Sequence, residues 1–112
     1  SKTVLGNVDE LMRSENGDAK RMVAKMPLKR QFQVIKALAH IYCTDDNYAR
    51  NGKALTLICC TIGVGWEMLD GWRERYRNTG EIRFTDSEKD YIRARIAAVA
   101  TEVARENGGV KT

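Results

Sequence analysis

The sequence predicts an all-α protein, a compact bundle of about five helices that forms one domain over residues 1–112. Its 43% hydrophobic and 30% charged residues are typical of a globular chain that buries a core without disulfides or metal. The only proline is Pro27, so long stretches are free to be helical. Only Glu81–Phe84 alternates polar and apolar residues as a strand does, and no second strand is evident to pair with it.

Two short helices are expected before Pro27. Asn7 and Glu10 have the spacing of a capping box, in which each side chain bonds to the other residue's backbone N–H, so the first helix is expected to start near Asn7. Asp18 is expected to cap a second helix over Ala19–Lys25. Pro27 suits the first turn of the helix that follows, where its missing N–H costs nothing. Both short helices need the rest of the domain to stabilise them.

The residues from Leu28 to Cys43 are predicted to form a central helix. Apolar residues recur in steps of three and four and make one broad face: Leu28, Phe32, Val34, Ile35, Leu38, Ala39, Ile41 and Tyr42. Four polar residues of this helix are expected to lie outward: Lys29, Arg30, Gln33 and Lys36. The segment Thr44–Gly52 is rich in Asp, Asn and Gly, which predicts a loop after the helix.

A long last helix is predicted from Asp86 to Glu106. Thr85 and Glu88 have capping-box spacing at its start. Its buried stripe is expected to consist of Ile92, Ile96, Val99 and Val103, with alanines beside them. Since small residues let another helix approach closely, the expected partner is either the Leu28–Cys43 helix or the same helix of a second copy. The residues after Glu106, about 107–112, are expected to form a mobile tail.

The segment Leu55–Arg77, LTLICCTIGVGWEMLDGWRERYR, has the spacing of two short helices joined by a tight turn. Such a unit needs a small residue where the helices cross, a Gly at the turn and apolar residues pointing inward. Cys59 is the small residue, and Gly63 lies at the turn. Four residues are expected to face the core: Ile58, Ile62, Leu69 and Trp72. A simple buried helical hairpin, with Gly63 and Gly65 marking only an interhelical turn, explains the same spacing.

On these residues the segment resembles the helix-turn-helix superfamily of DNA-binding proteins, and Trp72–Gly80, WRERYRNTG, is similar to the end of a transposase-type helix-turn-helix. The resemblance implies a small DNA-binding protein, a regulator or accessory factor for plasmid, phage or transposon DNA. It also implies a homodimer, because one such unit contacts only a few base pairs. Nine residues are then expected to contact double-stranded DNA, three near the groove and the others at phosphates: Gly65, Trp66, Glu67, Lys29, Arg30, Arg73, Arg75, Arg77 and Arg83.

The charge is unevenly distributed along the chain. The formal net charge is +4 and the pI is near 9.1, a mild excess of positive charge. No acidic residue occurs between Ala19 and Thr44, a stretch with six basic residues: Lys20, Arg21, Lys25, Lys29, Arg30 and Lys36. This segment is either a phosphate-binding face or a solvated helix surface whose acidic partners lie elsewhere in the fold, and composition favours neither interpretation.

A second hypothesis is a helical adaptor or inhibitor that binds another protein and no nucleic acid. It is motivated by Glu67 and Asp70, because the helix that would enter the DNA groove carries two carboxylates that phosphate repels. In this hypothesis Trp66 and Met68 are the contact anchors. Trp72 is expected in the core under either hypothesis.

The residue types that bind metals or catalyse reactions are sparse. Cys43, Cys59 and Cys60 lie in apolar helical context, which predicts reduced, buried thiols in a cytoplasmic protein. Zinc is disfavoured because adjacent cysteines on a helix point about 100° apart and no paired C-x-x-C occurs. His40 is the only histidine and no phosphate-binding Gly loop is present, so no enzyme activity, cofactor or metal is expected. No apolar run approaches the roughly 20 residues that span a bilayer, and no membrane contact is expected.

Overall fold

The computed structural model describes residues 3–109, apart from the side chains of Asn16 and Asn107. Within that range the chain forms six helices and no strand, so the predicted all-α class is confirmed, with six helices rather than about five. The helices are α1 (Val4–Arg13), α2 (Asn16–Ala24), α3 (Leu28–Thr44), α4 (Tyr48–Thr61), α5 (Trp66–Thr79) and α6 (Asp86–Gly109). The predicted extended piece at 81–84 is instead a non-helical connection between α5 and α6. None of these helices is long and apolar enough to cross a membrane.

The starts of α1 and α2 differ from the prediction. Thr3 caps α1, and its hydroxyl accepts a hydrogen bond of 3.0 Å from the backbone N–H of Gly6. The predicted cap Asn7 lies inside the helix, where it is buried and accepts a hydrogen bond of 2.8 Å from Arg30. Asp18 does not cap α2 either, but lies in its first turn and pairs with Arg21 at 2.8 Å. Short polar side chains fit both a cap and a tertiary contact, so spacing alone misplaces them.

The predicted loop over 44–52 is wrong for most of its length, because only residues 45–47 separate α3 from α4. The polar residues that suggested a loop are the ones that turn the chain and start the next helix. A side-chain oxygen of Asp45 accepts a hydrogen bond of 2.8 Å from the N–H of Asn47. Asn47 then caps α4 by accepting a hydrogen bond of 3.0 Å from the N–H of Arg50.

The core lies around α3, which packs against α1, α4, α5 and α6. The four residues of the Leu55–Arg77 segment that were expected to face inward are all buried: Ile58, Ile62, Leu69 and Trp72. The expected stripe of the last helix is buried as well: Ile92, Ile96, Val99 and Val103. Helix α6 packs mainly on α2, and less on α3 and α4. Contacts of α6 with α2 include the ion pair of Lys20 and Glu102, 3.2 Å long.

Both ends of the α5–α6 connection follow the sequence signals. Gly80 ends α5 in the left-handed conformation, with φ of 75°. Thr85 and Glu88 form the predicted capping box at the start of α6: the Thr85 hydroxyl accepts from the Glu88 N–H at 3.1 Å, and Glu88 accepts from the Thr85 N–H at 2.9 Å. Helix α6 continues past its predicted end at Glu106 to Gly109, and the remainder of the predicted mobile tail, 110–112, lies outside the described residues.

The turn between α4 and α5 is held by side chains of α6. Gly63 has a positive φ of 64°, and the chain enters α5 through Gly65. The Tyr91 hydroxyl donates a hydrogen bond of 2.6 Å to the Gly63 carbonyl, and the Arg95 Nε donates one of 2.8 Å to the Ile62 carbonyl. These contacts satisfy carbonyl groups that the end of α4 leaves without helical partners.

Replacing Gly63 with alanine is expected to destabilise the domain by about 1–2 kcal/mol, because an L-residue is strained at positive φ. The new Cβ would have no closer neighbour than 3.9 Å, so the lost stability would come from the strained backbone and not from a steric clash. Gly52→Ala is the control, since Gly52 lies within α4, has no positive φ and has open space around it, so alanine should not destabilise it. Urea denaturation of both variants measures the difference, and equal losses would contradict the prediction.

Candidate nucleic-acid interface

The outward side of α5, the helix expected to enter a DNA groove, is acidic. Leu69 and Trp72 turn one side of α5 into the core. Glu67, Asp70 and Glu74 are exposed on the opposite side, at steps of three and four residues. A groove-bound α5 would therefore present three carboxylates to the phosphates.

Two of the three arginines of α5, Arg73 and Arg75, contact other parts of the domain. The Arg73 guanidinium lies 4.6 Å from the ring centroid of Tyr42, at the end of α3. Burial raises the pKa of Tyr42, and the nearby Arg73 charge partly offsets that effect. Arg75 pairs with Glu88 and donates a hydrogen bond of 3.0 Å to the backbone carbonyl of Arg83. Arg77 is exposed on the last turn of α5.

The remaining predicted contact residues are also separated. Lys29 is exposed at the start of α3, while Arg30 turns to the other flank of α3 and bonds to Asn7 of α1. Arg83 pairs with Glu81 at 3.0 Å in the α5–α6 connection. Along α3, Lys29 and the Tyr42 position beside Arg73 are about 20 Å apart. The nine predicted residues thus lie in several places: at the start of α5, on its last turn, beside the start of α6, at the end of α3, and on two flanks at the start of α3.

Cys59, the small residue expected where α4 and α5 cross, is exposed. Helix α5 packs on α3 more extensively than on α4. The inward-facing residues of the segment are therefore buried against α3 and the rest of the core, and the exposed Cys59 does not mark a crossing of two helices.

The outward stripe of α3 has the opposite character from that of α5. Lys29, Gln33, Lys36 and His40 follow one another at steps of three and four residues, and all four are exposed. Helix α3 contains no carboxylate, so the only charges on this stripe are the positive ones of Lys29 and Lys36. The outward placement of Lys29, Gln33 and Lys36 is confirmed, whereas Arg30 is half-buried. His40 extends the stripe, which its helical spacing could have indicated.

Side chains from α5 and α6 border this stripe. The Arg93 guanidinium lies 5.7 Å from the ring centroid of Phe32, and with Lys29 and Gln33 it lines a shallow depression. The rings of Tyr76 and His40 contact each other edge to face at 5.9 Å. A larger open recess of about 670 Å³ runs along the second half of the stripe, lined by Val4, Gln33, Lys36, Ala37, His40, Gly80, Glu81 and Ile82. We call the stripe and this recess the α3 groove.

The three thiols do not form a site. Cys59 is exposed and Cys43 and Cys60 are half-buried, so the expectation of three buried thiols is wrong for Cys59. Burial raises the pKa of Cys43, with a smaller opposing effect of Arg73, which favours the protonated and less nucleophilic thiol. Within residues 3–109 no three side chains of the metal-binding types come together.

Comparison of the chain with protein-family models, with curated proteins and with solved structures finds no match. Its function is therefore inferred from its own geometry and charge.

Proposed function

We propose that the protein binds double-stranded DNA through the α3 groove, with Lys29 and Lys36 at the phosphates. The observation that supports this is the exposed stripe of α3, which carries two lysines and no carboxylate. The one carboxylate of the recess, Glu81, is paired with Arg83 at 3.0 Å. A regulator or accessory factor for plasmid, phage or transposon DNA fits such binding. A homodimer would bring two such grooves to one duplex.

The spacing of the stripe suits a nucleic-acid backbone. Lys29 and Lys36 are seven residues apart, or about 10 Å along the helix axis. Phosphates of one DNA strand recur every ~3.4 Å along the duplex, so the two ammonium groups match phosphates about three nucleotides apart. Gln33 lies between them with an amide group of the kind that pairs with adenine edges. Arg93 adds positive charge at the border of the stripe, and Asp90 offsets part of it through an ion pair of 3.4 Å.

This proposal assigns α5 a supporting role. Its outward carboxylates would repel phosphate at close range, and Arg75 is already paired with Glu88. The second helix of the predicted helix-turn-helix, α5, then packs into the core through Leu69 and Trp72 instead of entering a groove itself. Of the nine residues expected at DNA, only Lys29 belongs to the exposed stripe of α3 in this arrangement, and Arg73 contacts α3 at the buried Tyr42.

The double substitution Lys29→Ala, Lys36→Ala is expected to weaken duplex binding roughly ten- to a hundredfold at about 0.1 M salt, because two phosphate contacts and their released counterions are lost. The slope of log affinity against log salt should fall by about 2. Fluorescence anisotropy with labelled random duplex and single-stranded oligonucleotides, titrated at low and high salt, measures both quantities.

Arg13→Ala, Arg105→Ala is the matched control. It removes the same charge from exposed positions on α1 and the second half of α6, away from the α3 groove. The control should change affinity only slightly. Equal losses in both double variants would reduce the proposal to an effect of net charge, and no binding of the unmodified protein at low salt would exclude DNA as its ligand.

A further inference from the structure

The outward side of α5 is a second surface with its own chemistry, separate from the α3 groove. Trp66 stands at its start with 66% of its surface exposed. Glu67, Asp70 and Glu74 follow on the same side, and none of them forms an ion pair with another described residue. We call these four residues the α5 outer face.

The stability of α5 as a helix explains only some of the carboxylates on this surface. A carboxylate in the first turn is stabilised by the positive end of the helix dipole, which explains Glu67. Asp70 lies at the edge of that range, and Glu74 lies in the second half of the helix, where the dipole disfavours negative charge. Arg75 does not neutralise them, because it is paired with Glu88, whereas Arg73 lies over Tyr42, on which the Asp70 charge also acts, and offsets Asp70 in part. Arg77 is exposed on the same side of α5, seven residues after Asp70, so the three carboxylates leave this side with an excess of negative charge that Arg77 reduces.

Trp66 is held in place although its ring is exposed. Its backbone starts α5 directly after Gly65, and the preceding turn is fixed by Tyr91 on the Gly63 carbonyl and by Arg95 on the Ile62 carbonyl. An exposed tryptophan on a fixed backbone loses little conformational freedom when it is covered, and tryptophan is the residue most enriched at the energetic centres of protein interfaces. Its ring also attracts cations more strongly than those of tyrosine and phenylalanine.

We propose that the α5 outer face docks a basic helical segment of another protein. One arginine or lysine of that segment stacks on the Trp66 ring, and others pair with Glu67, Asp70 and Glu74. From Trp66 to Glu74 the face spans about 12 Å, so cations on two successive turns of a partner helix match it. Charge selects this occupant, since the three carboxylates repel nucleic acids and anionic lipid headgroups.

The proposal does not depend on DNA binding by the α3 groove. The test uses a labelled helical peptide of about 15 residues with arginines along one face, and a twin peptide with glutamates at the same positions. The basic peptide is expected to bind and to shift the Trp66 emission to shorter wavelength as the ring leaves water. The acidic twin should not bind. Fluorescence anisotropy and tryptophan emission record the two effects.

Two variants locate the binding. Trp66→Ala, and separately the triple change Glu67→Gln, Asp70→Asn, Glu74→Gln, should each weaken the basic peptide by about tenfold or more. The control triple Asp9→Asn, Glu15→Gln, Asp46→Asn removes the same charge from exposed positions on other elements and should leave the affinity nearly unchanged. Lys29→Ala, Lys36→Ala should not weaken the peptide, which separates this proposal from DNA binding.

Three results would overturn the proposal. The first is that the basic peptide does not bind at low salt. The second is an equal loss in both triple variants, which would mean non-specific attraction. The third is self-association in sedimentation experiments that Lys29→Ala, Lys36→Ala abolishes, since this would make the α3 stripe of a second copy the occupant of the α5 outer face.

Discussion

Replacing Trp72 with alanine is expected to lower the free energy of unfolding by about 3–5 kcal/mol, the largest effect of any single change proposed for this chain. The Trp72 side chain is fully buried. Its ring centroid lies 4.9 Å from that of Phe84, which in turn lies 5.9 Å from that of Phe32. Loss of the indole removes the α5 end of an aromatic row that joins α3, α5 and the α5–α6 connection, with Phe84 at its centre. Urea denaturation followed by circular dichroism measures the loss.

Trp72→Phe is the control that separates ring volume from the indole N–H. The Trp72 Nε1 is buried and has no hydrogen-bond partner among the described residues. Phenylalanine removes that unsatisfied donor, which costs about 1–3 kcal/mol when buried, while it keeps most of the aromatic contact. The phenylalanine variant should therefore lose about 1–2 kcal/mol at most. A loss as large as that of the alanine variant would show that the indole N–H has a partner.

Replacing Glu88 with alanine is expected to cost about 2–3 kcal/mol, since one carboxylate has two structural roles. It accepts the Thr85 N–H at the start of α6, and it pairs with Arg75 of α5. The ion pair is partly shielded, with 13% of the Glu88 side chain exposed and 30% of the Arg75 side chain. Without Glu88, the Arg75 charge stays partly buried beside α6 and keeps only its bond to the Arg83 carbonyl. Thermal and urea unfolding measure the change.

Glu88→Gln divides the two roles of the carboxylate. Its amide oxygen still accepts a hydrogen bond from the Thr85 N–H, but the charge opposite Arg75 is gone. The glutamine variant is therefore expected to lose about half as much free energy of unfolding as the alanine variant. High salt should reduce the difference in free energy of unfolding between the unmodified protein and this variant, because salt screens the ion pair but not the hydrogen bond of the helix cap. If Glu88→Gln were as unstable as Glu88→Ala, the helix cap would contribute little.

Periodicity predicted the buried faces of this protein well. The apolar stripe of α6 and the inward residues of the Leu55–Arg77 segment are buried, because helical spacing and hydrophobicity together determine which side of a helix turns inward. The predicted face of α3 is buried in its middle, but Leu28 at its first position is 60% exposed, and Phe32 and Ile41 at its edges are half-buried. The Thr85–Glu88 capping box and the left-handed Gly80 were also predicted, since each depends on residues close in sequence.

Contacts between distant residues could not be predicted in the same way. Asn7 bonds to Arg30 instead of starting a helix, and Arg75 bonds to Glu88 instead of facing outward. Whether a polar side chain caps, pairs or stays exposed depends on what the fold brings beside it. Part of the α3 groove could be predicted from the sequence, because helical spacing identifies the outward residues of α3. Its borders could not, because Arg93 and Tyr76 belong to other helices.

Helix α6 contacts α2 at one end and the turn between α4 and α5 at the other. Its 24 residues extend for about 36 Å. The second half is tied to α2 through Glu102 and Lys20, and the first half grips the α4–α5 turn through Tyr91 and Arg95. If α6 moved along its own axis while the turn stayed in place, the hydrogen bonds from Tyr91 and Arg95 to the Gly63 and Ile62 carbonyls would both break. The packing of α2 and the start of α5, where Trp66 lies, are therefore both referred to one continuous helix.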